Sequence, residues 1–344
     1  MEKTPMLSAA FQCGCVGQPE VRMRFSFSLC LCLLGLVGCG SSFVITPVQT
    51  TNQLDETTVK SGRWFYPPKI AIVEVEGVLA NAKSSTLLGS SENPVSLFAQ
   101  ELDKAADDSD VKAIVLRVNS PGGTVSGSDL MYTMLKNFKA KTHKPVVVSI
   151  QEVGASGAYY VSCAADKIYA QPTSLVGSIG VIFETFNLEG TMQKLGVKAE
   201  PYKSAAHKDI GSMFREPTDD ERKIMQGLVD EYYARFKSIV TTNRPGVLAH
   251  DLTILTDGRV FSGDNAQQLG LVDQTGTLED AIDAAKDLAH EPGAEVVEYK
   301  RPYSYGGSIY ALNSAPTPRS DVLQLQLPDS ESLLPSGFYY IWRP

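Results

Sequence analysis

Histidine and cysteine, on which most metal and much nucleophilic chemistry depends, are scarce in this chain. Its 344 residues hold four histidines, His143, His207, His250 and His290, and none lies in a HExxH or CxxC context. Ligands at workable metal spacing are missing, so no metal or cofactor is expected. Five of the six cysteines, Cys13, Cys15, Cys30, Cys32 and Cys39, fall in the first forty residues, which leaves Cys163 alone beyond them. That excludes a disulfide framework for the folded part. Basic charge is short as well, with 31 Lys and Arg against 39 Asp and Glu and a formal net charge of -8. Without a basic footprint to neutralise phosphates, nucleic acid is excluded as a partner class. No internal repeat is visible, so one copy of one folded domain is expected.

What is present begins with an address. Residues 22–39, RMRFSFSLCLCLLGLVGC, place two arginines before a short apolar run and small residues before a cysteine. This is the layout of a secretory signal. The run is too short for a comfortable membrane span of roughly 20 apolar residues, and Leu36-Val37-Gly38-Cys39 is similar to the lipobox of bacterial lipoproteins, with Cys39 as the acylated residue. A retained anchor helix stays open as the other reading. Residues 1–21 lack an apolar run, so translation from Met23 rather than Met1 is a second open point. Residues 40–68 are rich in Ser, Thr, Gln and Pro without a period, which predicts a flexible tether to the membrane.

Folding is expected over 69–300. Apolar, β-branched runs at 70–75, 111–118 and 145–150 predict buried strands, as do 167–170 and 176–182. Between them, the spacing predicts helices at 95–106, 126–139 and 156–165. A long helix should follow Pro217, with Thr218 and Glu221 as its capping box. Two more helices are expected at 263–269 and 278–288, and 296–299 reads as an edge strand. Strands alternating with helices predict an α/β layered core. The tail, 301–344, carries Gly306-Gly307, several prolines and the aromatic end FYYIW. It is expected to be extended or disordered, with a docking patch for a partner or membrane surface as the alternative.

The chemistry concentrates in two glycine-rich segments, each following a buried strand. Gly154-Ala155-Ser156-Gly157-Ala158 resembles a nucleophile elbow, in which small neighbours permit a turn that presents a serine hydroxyl at a helix start. Ordinary helix capping explains the same residues equally well. The other segment, Asn119-Ser120-Pro121-Gly122-Gly123, reads as a turn whose Gly123 N–H, together with that of Gly157, can approach a carbonyl closely. A serine needs a base, and the histidines stand in poor contexts for it. Lys203 and Lys208, in YKSAAHKD, remain as candidates, provided burial lowers the pKa of one of them from its usual value of about 10.4.

Taken in order, IAIVEVEG from Ile70, VKAIVLRVNSPGG from Val111, GASGAYYVSCAADKIYA from Gly154, SLVGSIGVI from Ser174, YKSAAHKDIGS from Tyr202 and DGRVFSGDNAQQLGLVD from Asp257 resemble the signal peptide peptidase A family of serine proteases, single-domain type. The resemblance covers roughly 69–290. It implies the layered ClpP/crotonase-like fold of repeated β-β-α units, Ser156 as nucleophile, Lys208 as general base, Ser178 as the serine orienting that lysine, and Gly123 and Gly157 as oxyanion donors. It also implies a ring or dome of subunits, eight in the better-known arrangement, in which serine and lysine come from neighbours. Its substrates would be remnant signal peptides and other hydrophobic peptides, cut beside small or aliphatic side chains. The chain departs from the family at Ala158, where glycine is frequent, and at Ala205. Two rival readings stay open: a crotonase-like acyl-thioester enzyme, since the fold alone does not decide, and a catalytically silent membrane scaffold.

Overall fold

The structure, a computed structural model, describes residues 53–63, 65–82, 85–86, 89–90, 92–301, 309 and 337–343. The signal segment, Cys39, both candidate start methionines and the first part of the tether lie outside them.

The α/β expectation holds. The strands are β1 (Asp55–Lys60), β2 (Lys69–Leu79), the small hairpin β3 (Ser85–Thr86) and β4 (Gly89–Ser90), β5 (Val111–Thr124), β6 (Val146–Ala155), β7 (Lys167–Ala170), β8 (Leu175–Gly177), β9 (Ile182–Phe183), β10 (Val260–Ser262), β11 (Gln274–Thr275), β12 (Glu295–Lys300) and β13 (Phe338–Ile341). The helices are α1 (Pro94–Asp107), α2 (Val125–Thr142), α3 (Gly157–Ser162), α4 (Glu189–Lys194), α5 (Asp219–Asn243), α6 (Leu252–Leu255), α7 (Gly263–Gln268) and α8 (Leu278–Ala289). One large sheet runs β1-β12-β2-β5-β6-β7-β11, with β8 and β10 added beside β6, and β13 and β9 beside β5. From β12 to β11 its neighbours are parallel, as crossover helices require.

Period-two alternation sorts the strand residues onto two covered faces. Ile70 and Ile72 of β2 and Ala113 and Val115 of β5 meet Leu278, Ala281, Ile282 and Ala285 of α8 on one side. Ala71, Val73 and Val75, with Ile114, Leu116 and Val118, face α1, α2 and α3 on the other. The long helix α5 starts where its capping box places it, with Thr218 and Glu221 exchanging backbone hydrogen bonds.

Three expectations need correction. The tether does not extend unbroken to residue 68, because β1 pairs antiparallel with β12 over Asp55–Lys60. Its side chains are mostly exposed, so backbone pairing holds it, and no hydrophobic period marks it in the sequence. For the same reason β12 is an interior strand, covered by β1 on one side and β2 on the other. Finally, Asn119–Gly123 is the irregular continuation of β5 to Thr124 rather than a turn. The β2–β5 register slips between Glu76 and Val78, and Ser120 Oγ ties the irregularity by donating to Gly77 O (2.6 Å) and accepting from Gly122 N (3.1 Å).

Buried charge gathers across the middle of β2 and β5 and on the neighbouring β12. Arg117 pairs with Glu74 and with Glu298 (2.9 Å), and Lys300 also reaches Glu298 (2.7 Å). On the opposite face Glu101, fully buried in α1, accepts the Glu74 backbone N–H at 2.8 Å. Burial first, and then the charge of Glu74, pushes the Glu101 carboxyl well above the usual range, while burial raises Glu74 in the same direction. An acid whose folded pKa is raised contributes most below its unfolded pKa and loses that contribution as pH climbs through its folded pKa. Glu101→Gln is therefore expected to flatten the decline of Tm as the pH rises above the usual carboxylate range, leaving the slope owed to other carboxyls raised by burial, Glu74 and Glu76 among them. Thermal melts across that rise in pH check it, and an unchanged slope would mean that Glu101 does not titrate in the fold.

Candidate active site

Among the described residues four other than glycine have positive φ: His143, Ser156, Ser178 and His290. The two histidines close the C-termini of α2 and α8 in the left-handed conformation usual for such caps. Neither serine closes a helix C-terminus, and their backbones are held in a costly region by their neighbours. Ser156 (φ 53°, ψ -116°) stands between the end of β6 and the first residue of α3. Its N–H donates to Gly177 O at 2.7 Å, and its carbonyl accepts from Tyr160 N at 2.9 Å, so the turn is held on both sides. Ser178 (φ 50°) follows β8, and its N–H donates to Arg259 O at 2.8 Å.

Strand pairing brings the two serines together. Ala155 of β6 pairs in parallel with Gly177 of β8, so Ser156 and Ser178 leave the sheet side by side, about one strand spacing of 5 Å apart. Both are buried, and the Ser156 hydroxyl makes no hydrogen bond. A buried hydroxyl without a partner is costly in a purely structural role.

The two glycines converge on the same place. A Cβ built on Gly157 would lie 2.2 Å from Ser128 Oγ and 3.1 Å from Gly123 N, while one on Gly123 would lie 2.1 Å from the Leu79 carbonyl oxygen. Gly122, at φ 104°, completes the cradle, since a Cβ there would come within 2.7 Å of Gly157 N. Neither the role of Gly122 nor the contact with Ser128 was apparent from the sequence. The dipeptide Gly122-Gly123 was the one available signal, because two successive glycines in a strand mark a close backbone approach.

Among the described residues no hydrogen bond joins the Lys208 amine to Ser156 within one chain. Lys208 lies exposed in the segment between α4 and α5, its N–H bonded to Ala205 O at 3.3 Å, and its ammonium has no partner among the described residues. The segment itself is ordered by charge. Lys203 and Arg215 both bind Asp209, at 2.8 and 2.7 Å, and Arg215 also reaches Glu221 at the start of α5 (2.5 Å). Arg215 and, next, Lys203 hold the Asp209 carboxyl far below its usual range. Lys203 is therefore committed to Asp209, whereas Lys208, one residue before it, is left available.

Other nucleophiles are poorly placed. Cys163 is buried, and that burial pushes its thiol up to about 12, which leaves almost no reactive thiolate near neutrality.

The chain is also similar to known proteases. Residues 138–291 match the model of peptidase family S49. A protein of Enterococcus faecium named as a candidate signal peptide peptidase SppA is 36% identical over 250 residues, spanning 73% of this chain and 72% of that protein. Protease 4 of Haemophilus influenzae is 33% identical over 263 residues, which are 75% of this chain but 41% of that larger protein. The chloroplastic serine protease SPPA of Arabidopsis thaliana is 30% identical over 238 residues, 68% of this chain and 35% of the plant protein. A buried serine whose hydroxyl makes no hydrogen bond, on a strained turn next to Gly157, is thus found in a chain that belongs to peptidase family S49, the SppA serine proteases.

Proposed function

We propose that the chain is a serine endopeptidase with a Ser156–Lys208 dyad, which degrades remnant signal peptides and other hydrophobic peptides at the membrane. The observation that carries this reading is the Ser156 hydroxyl, buried and unbonded beside Ser178 and next to the Gly123 and Gly157 amides. Lys208 takes the Ser156 proton, the alkoxide attacks a peptide carbonyl, and the two glycine N–H groups stabilise the oxyanion. Water then resolves the acyl-enzyme, with Ser178 orienting the lysine amine. Intact Ser156, Ser178 and Lys208 count against a silent scaffold.

A lysine becomes a base only where its surroundings disfavour the ammonium. Lys208 is exposed in a single chain, so something must cover its segment. A second copy is the natural cover, since this stretch displays Phe186, Leu195, Val197, Tyr202 and Phe214 to solvent, Tyr202 at 97%. Apolar groups in such number mark an association surface. The active species is thus a ring or dome, in which Lys208 of one subunit serves Ser156 of the next. Among the described residues no helix is long and apolar enough to cross a membrane; attachment is assigned to a lipid on Cys39, with the catalytic domain outside the cytoplasm of a bacterial cell.

The test is incubation of the assembled full chain with a synthetic signal peptide, read by mass spectrometry. Discrete fragments are expected, at a rate unaffected by EDTA. An assembled wild type that leaves such peptides intact would overturn the proposal.

A further inference from the structure

The strand β5 slips against both of its neighbours at the same place. On the β2 side the register jumps from Glu76–Asn119 to Val78–Gly122, so Gly77 alone stands opposite Ser120 and Pro121. On the β6 side it jumps from Val118–Ile150 to Ser120–Gly154, which sets Gln151, Glu152 and Val153 against Asn119 alone. Each slip withdraws backbone partners from a ladder, and buried backbone groups need partners.

Two adjacent side chains supply what the ladders lose. Ser120 Oγ donates to Gly77 O (2.6 Å) and accepts the Gly122 N–H (3.1 Å), so one hydroxyl bridges the slip on the β2 side. Asn119 Oδ1 accepts the Val153 N–H (3.2 Å) and bridges the slip on the β6 side. Ser120 is 1% exposed, so bulk water is not there to replace its two bonds.

What the slips achieve is the meeting of the two glycine segments. β6 pairs with β7 as far as Ile150 and with β8 from Val153, so its slip is where the strand turns toward the elbow at Ser156. Past both slips the backbones come so close that a Cβ on Gly157 would stand 3.1 Å from Gly123 N. Beyond Gly154 the strand β13 pairs with the end of β5, with Ile341 opposite Gly122. The aromatic end of the tail is thus neither an open docking patch nor unstructured.

Gly122 and Gly123 have no side chains to fix their peptide planes, and Gly122 sits at φ 104°. An oxyanion site works only where its N–H dipoles are aimed before the reaction begins. The freedom of glycine is a liability there, and a neighbouring group must remove it. Ser120, by holding the Gly122 N–H, fixes the peptide that leads into Gly123.

We propose that Ser120 and Asn119 are positioning residues for peptide cleavage, Ser120 aiming the Gly123 N–H and Asn119 the strand that carries Ser156. Both act through the glycines and the elbow rather than on the substrate. This rests on the reading of Ser156, Gly123 and Gly157 given above, and it adds two residues to that machinery.

The test compares assembled full-length wild type with Ser120→Ala and Asn119→Leu, on a cleavable hydrophobic peptide and on the matching peptide aldehyde. Ser156 Oγ adds to the aldehyde carbon, which places an oxygen where the oxyanion would form. Binding of the uncleaved peptide is measured in the same three chains with Ser156→Ala added. Removing one oxyanion donor costs about 10²–10³ in kcat, so misaiming one should cost about tenfold to a hundredfold. In each variant kcat is expected to fall by that factor with KM within about twofold of wild type. Aldehyde affinity should fall in step with kcat/KM, while binding of the uncleaved peptide stays as it was. Asn119→Leu keeps the test alive where Ser120→Ala does not fold. A folded variant with wild-type kcat and only a lowered Tm would overturn the inference, as would equal losses of aldehyde and plain-peptide affinity. Failure of the Ser156 reading is seen separately, as a wild type that binds the aldehyde no more tightly than the corresponding alcohol.

Discussion

Ser156→Ala is expected to lower kcat for a hydrophobic peptide by about 10⁴-fold or more, and Lys208→Ala to do nearly the same. The expectation follows from the division of labour in the site. Ser156 supplies the only bond-forming atom, and without a base its hydroxyl is a weak nucleophile, so removing either group collapses the same step. The double variant should then be scarcely worse than either single one, because residues acting as a unit are not additive. Stability should separate from activity. The Ser156 hydroxyl has no hydrogen bond to lose, and Lys208 is exposed, so both variants should melt within about 2 °C of wild type. Rates and melts on the same preparations check the pair of statements. A Ser156→Ala chain that cuts like wild type would remove the nucleophile assignment, and one that loses activity only by unfolding would leave it without support.

Much of this fold was legible because burial writes a period into the sequence. The runs around Ile70, Val111 and Val146 are apolar on both faces, as strands covered by helices on both sides must be, and Thr218 with Glu221 announced the start of α5. What was not legible shares one physical cause. β1 is held chiefly by backbone pairing to a distant strand, the register of β13 on β5 is likewise a matter of backbone pairing, and backbone hydrogen bonds leave no residue pattern. The tail sequence FYYI shows that something aromatic is to be buried, but not that Tyr340 lies against Gly123. The site divides in the same way. Gly154–Ala158 and Gly122-Gly123 are visible as motifs, since only small residues permit such close approach. The positive φ of Ser178 is invisible, because serine does not require it. Its place beside Ser156 depends on the Ala155–Gly177 register, which no local reading supplies. Asp209 could be read as a neighbour of Lys208, but its grip on Lys203 and Arg215 had to be seen to explain which lysine is left over.

The proposed sharing of the dyad between neighbouring subunits leads to the second large effect. Mixed assemblies of Ser156→Ala and Lys208→Ala subunits are expected to recover activity that neither variant has alone. In a closed ring with head-to-tail contacts, each site takes its serine from one subunit and its lysine from the next. A Lys208→Ala subunit still carries Ser156, and a Ser156→Ala subunit still carries Lys208. A site is whole wherever the first kind contributes the serine and the second the lysine, so random mixing in equal amounts should restore roughly a quarter of wild-type activity. Co-expression with two different tags, sequential capture of assemblies carrying both, and a peptide assay would read it out. The exposed apolar residues around Lys208 make an independent demand, since charge placed among them at Leu195 or Phe214 should dissociate the assembly and abolish activity together. Both residues lie outside the glycine cradle, so activity lost without dissociation would point to a role in folding instead. Mixed assemblies that form but stay inactive would show that serine and base belong to the same chain, and the segment 195–215 would then have to move onto Ser156 without help from a neighbour.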